Sequence, residues 1–113
     1  MLPPANRLRK EKEIKRVLAS RNGCKIGPLV CKTAKNGLKT VRFCFIVSKR
    51  ISNKAVIRNK LKRQLREAVM AQLARANPGA DCVLIAYSGL ETKKYGDLAM
   101  AVEKLLNKSG VLK

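Results

Sequence analysis

The groups with which this chain can do chemistry are 26 Lys or Arg, seven acids, four cysteines and no histidine. Protein-catalysed phosphodiester hydrolysis wants carboxylates gathered around metal ions, or an imidazole acid–base pair. No imidazole is present, and the acids Glu11, Glu13, Glu67, Asp81, Glu91, Asp97 and Glu103 are scattered. Glu11 and Glu13, at i,i+2, do not share a helix face. Cys24, Cys31, Cys44 and Cys82 form no Cys-x-x-Cys pair and have no histidine to complete a mixed zinc site. No base is placed to activate a Cys or Lys nucleophile. The cations are another matter. Residues 14–66 carry 16 Lys or Arg and not one acid. A merely soluble surface mixes both signs. A single-sign field of this kind fits a phosphate backbone.

The densest cationic run falls where a helix is expected. At about 100° per residue, Arg58, Lys62, Arg66, Asn59 and Arg63 share one arc of about 140°. Leu61, Leu65, Ala68 and Ile57 fall on the opposite side. A solvated basic helix usually interleaves Glu to gain i,i+4 pairs. No acid occurs here before Glu67, so Arg58, Lys62 and Arg66 repel one another unless an anion joins them. Nucleic-acid contact follows; charge does not decide between DNA and RNA. A ribosomal-type RNA-binding protein and an architectural DNA binder both remain open at this point.

These side chains must be positioned by a small fold. At 113 residues the chain makes one domain. Its net charge of +19 works against folding, while 46% hydrophobic residues suffice for a core. Residues 1–9 read as an extended basic arm, with Pro3-Pro4 opposing an early helix. A helix over 10–20 follows, with Ile14, Val17 and Leu18 on one face and Asn22-Gly23 as its stop. Strands are expected over 29–33, over 40–48 and, still shorter, near 24–26. Asn36-Gly37 carries a hairpin-turn signal. The long helix spans 54–74, with Ser52 or Asn53 as cap candidates, and Asn77-Pro78-Gly79 ends it. Asp81–Tyr87 is a continuous apolar run of buried-strand length. The last helix spans 95–107, with Leu98, Val102, Leu105 and Leu106 as its core stripe. The order α-β-β-β-α-β-α predicts an α+β domain, with helices packed on an open sheet. The longest apolar runs are far too short for a membrane span, and the first residues lack the apolar region of a signal peptide. A reduced, cytoplasmic protein is expected.

Residues 47–68, VSKRISNKAVIRNKLKRQLREA, closely resemble the signature of the bacterial ribonuclease P protein subunit. That family has a Lys-rich strand end, here Ser48-Lys49-Arg50, then a helix bearing Arg-Asn-Arg-x-x-Lys-Arg-x-x-Arg. Here that run is Arg58, Asn59, Lys60, Lys62, Arg63 and Arg66, with Lys at its third position. Asn6-Arg7-Leu8, Gly79-x-Asp81 and the last helix agree in order. The resemblance implies a mixed four-stranded sheet with a left-handed β-α-β crossover, in one RNA-binding domain over 1–113. It implies two partners: the catalytic RNA, and the 5′ leader of precursor tRNA. The implied RNA contacts are Lys49, Arg50, Lys54, Arg58, Asn59, Lys60, Lys62, Arg63 and Arg66. A cleft between the first helix and the sheet would receive the single-stranded leader, near Asn6, Arg7, Ile14, Leu18 and Lys32. No obligate protein partner and no cofactor bound by the chain alone are implied; Mg²⁺ would be held by the RNA. The sequence departs from the family in that cleft. Ile14 and Leu18 stand where Phe is common, Lys32 stands for a strand aromatic, and Tyr87 replaces an Arg after the last strand.

Overall fold

The structure is a computed structural model describing residues 2–112. Its elements are α1 (Glu11–Leu18), β1 (Gly23–Ile26), β2 (Leu29–Lys35), β3 (Arg42–Val47), α2 (Ala55–Gln72), β4 (Ala80–Ala86) and α3 (Tyr95–Lys108). Single 3-10 turns cover Pro4–Asn6, Leu73–Arg75 and Leu90–Thr92. The element order and the four strands match the expectation, with no end moved by more than two residues.

The sheet order is β1-β2-β4-β3. β4 runs antiparallel to β2 and parallel to β3, and α2 makes the crossover that the parallel pair requires. Its sequence explains its central place. From Asp81 to Leu84 every residue is buried, because the strand is covered on both faces. β2 and β3 are therefore not neighbours. The expected hairpin at Asn36-Gly37 is instead a loop that passes over the end of β4. The tight hairpin joins β1 to β2, closed by Ile26 opposite Leu29. Gly27 takes φ +55° there, a conformation that costs glycine little.

Three layers result. On one face of the sheet, Leu29, Cys31, Phe43, Cys82, Leu84 and Ala86 meet α2 and α3. α2 contributes Leu61, Leu65, Ala68 and Val69; α3 contributes Leu98, Val102, Leu105 and Leu106, as its spacing predicts. On the other face, α1 lies across β2 and β4. Its Val17 packs with Leu8 and Val83 in a smaller cluster. All four cysteines lie in strands as free thiols.

Five local expectations are corrected. The extended basic arm expected over residues 1–9 is not seen over residues 2–9, Met1 lying outside the described residues. Leu2 and Leu8 are buried, and the Leu8 N–H donates to the Phe43 carbonyl at 2.9 Å. Pro4 opens a 3-10 turn rather than preventing one, because its fixed φ suits a first helical position. α1 ends at Leu18, short of Asn22-Gly23, and Gly23 begins β1. Neither Ser52 nor Asn53 caps α2. Lys54 holds that position without a side-chain bond, while Ser52 Oγ accepts the Lys54 N–H at 3.1 Å. Ile57 is exposed rather than in the core, because it sits on the first turn of α2, ahead of the packed stripe.

Candidate nucleic-acid interface

The cationic arc of α2 forms as its spacing requires. Leu61, Leu65 and Ala68 are buried, so Arg58, Lys62 and Arg66 are turned toward the β3 edge, where they are half-buried. Asn59, Lys60 and Arg63 are exposed, as are Lys49, Arg50 and Lys54 in the preceding loop. Among the described residues every ion pair lies elsewhere, in α1, at Arg42 and at Arg75. Arg58 spends one donor on the Ser52 carbonyl at 2.8 Å, tying the loop to the helix. Among the described residues no anion partners the arc.

The arc continues into the sheet's open face. Burial pushes the Cys44 thiol upward in pKa, and Lys62 is near enough for its charge to oppose that shift. Arg66 lines a groove of about 240 Å³ with Arg7, Arg9, Leu8, Phe43, Cys44 and Phe45. Two cationic elements thus border one apolar floor. Because α1 lies over β2 and β4, Cys44 and Ile46 of β3 stay half-buried. Val30, Ile85 and Ile46 are paired across the strands and make the half-buried remainder of this floor.

The other end of the floor is closed by ion pairs that the charge pattern gave no reason to expect. Asp81 is fully buried. It accepts hydrogen bonds from Arg16 at 2.8 Å, from Asn36 at 2.8 Å, and from Arg42 at 2.8 and 2.7 Å. Arg42 also bonds Glu13 at 2.7 Å, so α1 is fastened to the sheet through both its acid and its base. Burial alone would raise the Asp81 carboxyl. Hydrogen bonds from Arg42 and Asn36, with the charges of Arg42 and Arg16, outweigh it and hold the carboxyl below its ordinary value. Asp81 and Glu13 push the Arg42 guanidinium pKa further up. The signal available in the sequence was a lone acid opening an otherwise apolar strand, which must be paired if buried.

Of the five residues expected near a cleft, Arg7, Ile14, Leu18 and Lys32 border this floor, in different roles, and Asn6 does not. Ile14 and Leu18 are half-buried against the smaller cluster, with Ala34, Cys44, Ile46 and Ile85. Lys32 donates to the Ser20 carbonyl at 3.2 Å, bonding the chain just beyond α1. Asn6 donates to the Val41 carbonyl at 2.7 Å, and Arg7 Nε to the Leu2 carbonyl at 2.8 Å. Asn6 and Arg7 therefore fix the N-terminal segment, while Arg7 still lines the groove.

Comparison with known proteins decides the family. The family model described as "Ribonuclease P" matches residues 2–110. The chain belongs to the ribonuclease P protein family. A ribonuclease P protein component from Dehalococcoides mccartyi is 42% identical over 109 residues, covering 96% of this chain and 88% of its own length. One from Roseiflexus castenholzii is 36% identical, with the same coverage. The ribonuclease P protein of Thermotoga maritima, solved with a fluorophenyl thiourea, superposes with TM-score 0.83 at 25% identity; 90% of this chain and 98% of that one are covered. That of Staphylococcus aureus superposes with TM-score 0.87 at 23% identity, covering 96% and 98%, and supports the fold. As a ribonuclease P protein component, the chain is part of a ribonucleoprotein endoribonuclease that matures tRNA 5′ ends, and its partner is the RNA subunit. No helix among the described residues is long and apolar enough to cross a membrane.

Proposed function

We propose that this ribonuclease P protein divides its cationic surface between two RNAs. The arc of Arg58, Lys62 and Arg66, with Asn59, Lys60, Arg63 and the Lys49, Arg50, Lys54 loop, docks on the RNA subunit. The floor between α1 and β3 takes the single-stranded 5′ leader of precursor tRNA. One observation carries this reading: the α2 arc is half-buried, without an ion pair among the described residues, and continuous with the cleft floor through Arg66, Arg7 and Arg9.

The donor set does not fit a protein-held cation. Among the described residues no three His, Cys, Asp or Glu side chains gather as metal ligands. Mg²⁺ is assigned to the RNA phosphates, and the protein contributes neutralisation and a grip on the leader. The test adds the protein to a bacterial ribonuclease P RNA at low Mg²⁺ and follows 5′ processing. Cleavage is expected with both components and absent with protein alone. The assembled enzyme should bind precursor tRNA more tightly than mature tRNA. RNA-free cleavage at the mature 5′ end would overturn the division of labour, and equal affinity for precursor and mature tRNA would overturn the cleft assignment.

A further inference from the structure

Cys24, Cys31 and Cys82 stand together on the helix-covered face of the sheet, where neither RNA surface reaches. We infer that Cys24 and Cys31 form an oxidant-sensitive pair, which a hydroperoxide converts into a cross-strand disulfide that stabilises the protein before it meets RNA. The inference stands apart from the reading of the RNA surfaces.

The strand register brings the pair together. Cys24 lies directly opposite Cys31 in the antiparallel β1–β2 ladder. Residues so placed have Cα atoms about 4.5–5.5 Å apart and point to the same face. A disulfide spans Cα separations of about 4.4–6.8 Å. Both side chains join the core under α3. Cys82 is the third thiol, on β4. It pairs with Thr33 while Cys31 pairs with Leu84, so Cys31 and Cys82 stand diagonally. Diagonal neighbours are about 7–8 Å apart, close enough for thiols to meet and too far for a bond unless the strands move. Cys44 packs in the smaller cluster on the other face and cannot join them.

Burial assigns the order of events. Cys24 is half-buried on the edge strand β1, whereas Cys31 and Cys82 are fully buried. Peroxide therefore meets Cys24 first. The Cys24 thiolate attacks one peroxide oxygen and the O–O bond breaks, leaving a sulfenic acid and releasing water. The Cys31 sulfur then attacks the Cys24 sulfur. The S–O bond breaks, and its hydroxyl departs as a second water with the Cys31 proton. Two thiols lose two electrons, and one hydrogen peroxide is reduced to two waters. Cys31 is suited to this attack, because a hydrogen bond from the Cys82 thiol lowers its pKa against the effect of burial. Ser109, with its Oγ 4.0 Å from the Cys31 sulfur, acts in the same direction. The bond strengthens the sheet where it is least supported, since β1 has four residues and one strand neighbour. Closing residues 24–31 into a loop also removes freedom from the unfolded chain. In a free protein of net charge +19, that gain opposes self-repulsion before RNA neutralises it.

The experiment treats the full chain, without RNA, with hydrogen peroxide and then blocks the remaining thiols with iodoacetamide. Trypsin cuts after Arg21, Lys25 and Lys32, so the bond links peptide 22–25 to peptide 26–32. The linked species is expected in wild type, lost on adding dithiothreitol and absent in Cys24→Ser. Oxidised wild type should melt about 5–10 °C above the reduced protein, with no such shift in Cys24→Ser. Oxidised and reduced protein should bind a bacterial ribonuclease P RNA equally, because β1 and the α2 arc lie at opposite edges of the sheet. Survival of all four thiols, a Cys31–Cys82 link, or a sulfinic acid on Cys24 without a link overturns the pairing. The expected link with unchanged melting overturns the stabilising role, and weakened RNA binding overturns its separation from the RNA surfaces.

Discussion

Asp81 is the residue at which most of the local structure converges. It joins α1, the β2–β3 loop and β3 through Arg16, Asn36 and Arg42. Removing one partner of a buried pair strands the other charges, so Asp81→Asn is expected to cost about 3–5 kcal/mol. The pH dependence has a definite sign. The folded carboxyl is held below its unfolded value of about 3.9. Its stabilisation is complete above that value and fades as pH falls through the folded pKa. Urea unfolding from about pH 7 to about pH 2 should show a loss of stability below about pH 4 that is smaller in Asp81→Asn. On α2 the residue-scale prediction is electrostatic. Arg58→Ala, Lys62→Ala and Arg66→Ala together should leave melting nearly unchanged and weaken RNA binding. Each lost phosphate contact should reduce the salt slope of binding by roughly 0.7–0.9. An unchanged slope would remove this face from the interface.

Among the elements, α1 is the one whose role rests on geometry beyond its own sequence. Ile14 and Leu18 belong to the smaller cluster, yet both stay half-buried beside the half-buried part of the floor. The double variant Ile14→Phe/Leu18→Phe is expected to extend two rings over that floor. Precursor affinity should rise roughly five-fold or more through added stacking, with little change in melting. A stability loss of about 1–3 kcal/mol with unchanged affinity would mean that the rings overpack a closed core. Much of this was legible in the residues. The periods of α2 and α3 name their buried stripes, and the apolar run of β4 announces a strand covered on both faces. What periodicity lacks is pairing partners. Asn36-Gly37 carries a hairpin signal, but insertion of β4 between β2 and β3 outweighs a local turn preference. Asn36 spends its side chain on the Leu38 N–H, the Thr40 carbonyl and Asp81 instead. Leu2 and Leu8 are too isolated among prolines and arginines to show a period, so their burial became visible only with β3 in place.

For the whole molecule, self-repulsion is the governing quantity. Among the described residues ion pairs gather around α1 and at Arg75, leaving the cationic arc of α2 without compensation there. A net charge of +19 on 113 residues should make the free protein marginal at low ionic strength. Sulfate or phosphate should raise its melting temperature by occupying the basic sites, an effect that binding to the folded state alone requires. A melting temperature that is flat from dilute buffer to added sulfate would contradict this. The central position of β4 has a consequence of another kind, in the order of events during synthesis. The acid-free stretch 14–66 leaves the ribosome before residues 80–86, and until those arrive β2 and β3 have no strand between them. The cleft floor therefore cannot exist on a nascent chain that stops at α2. Every cation of the arc is made before the surface it borders is complete, and that surface waits on the last third of translation.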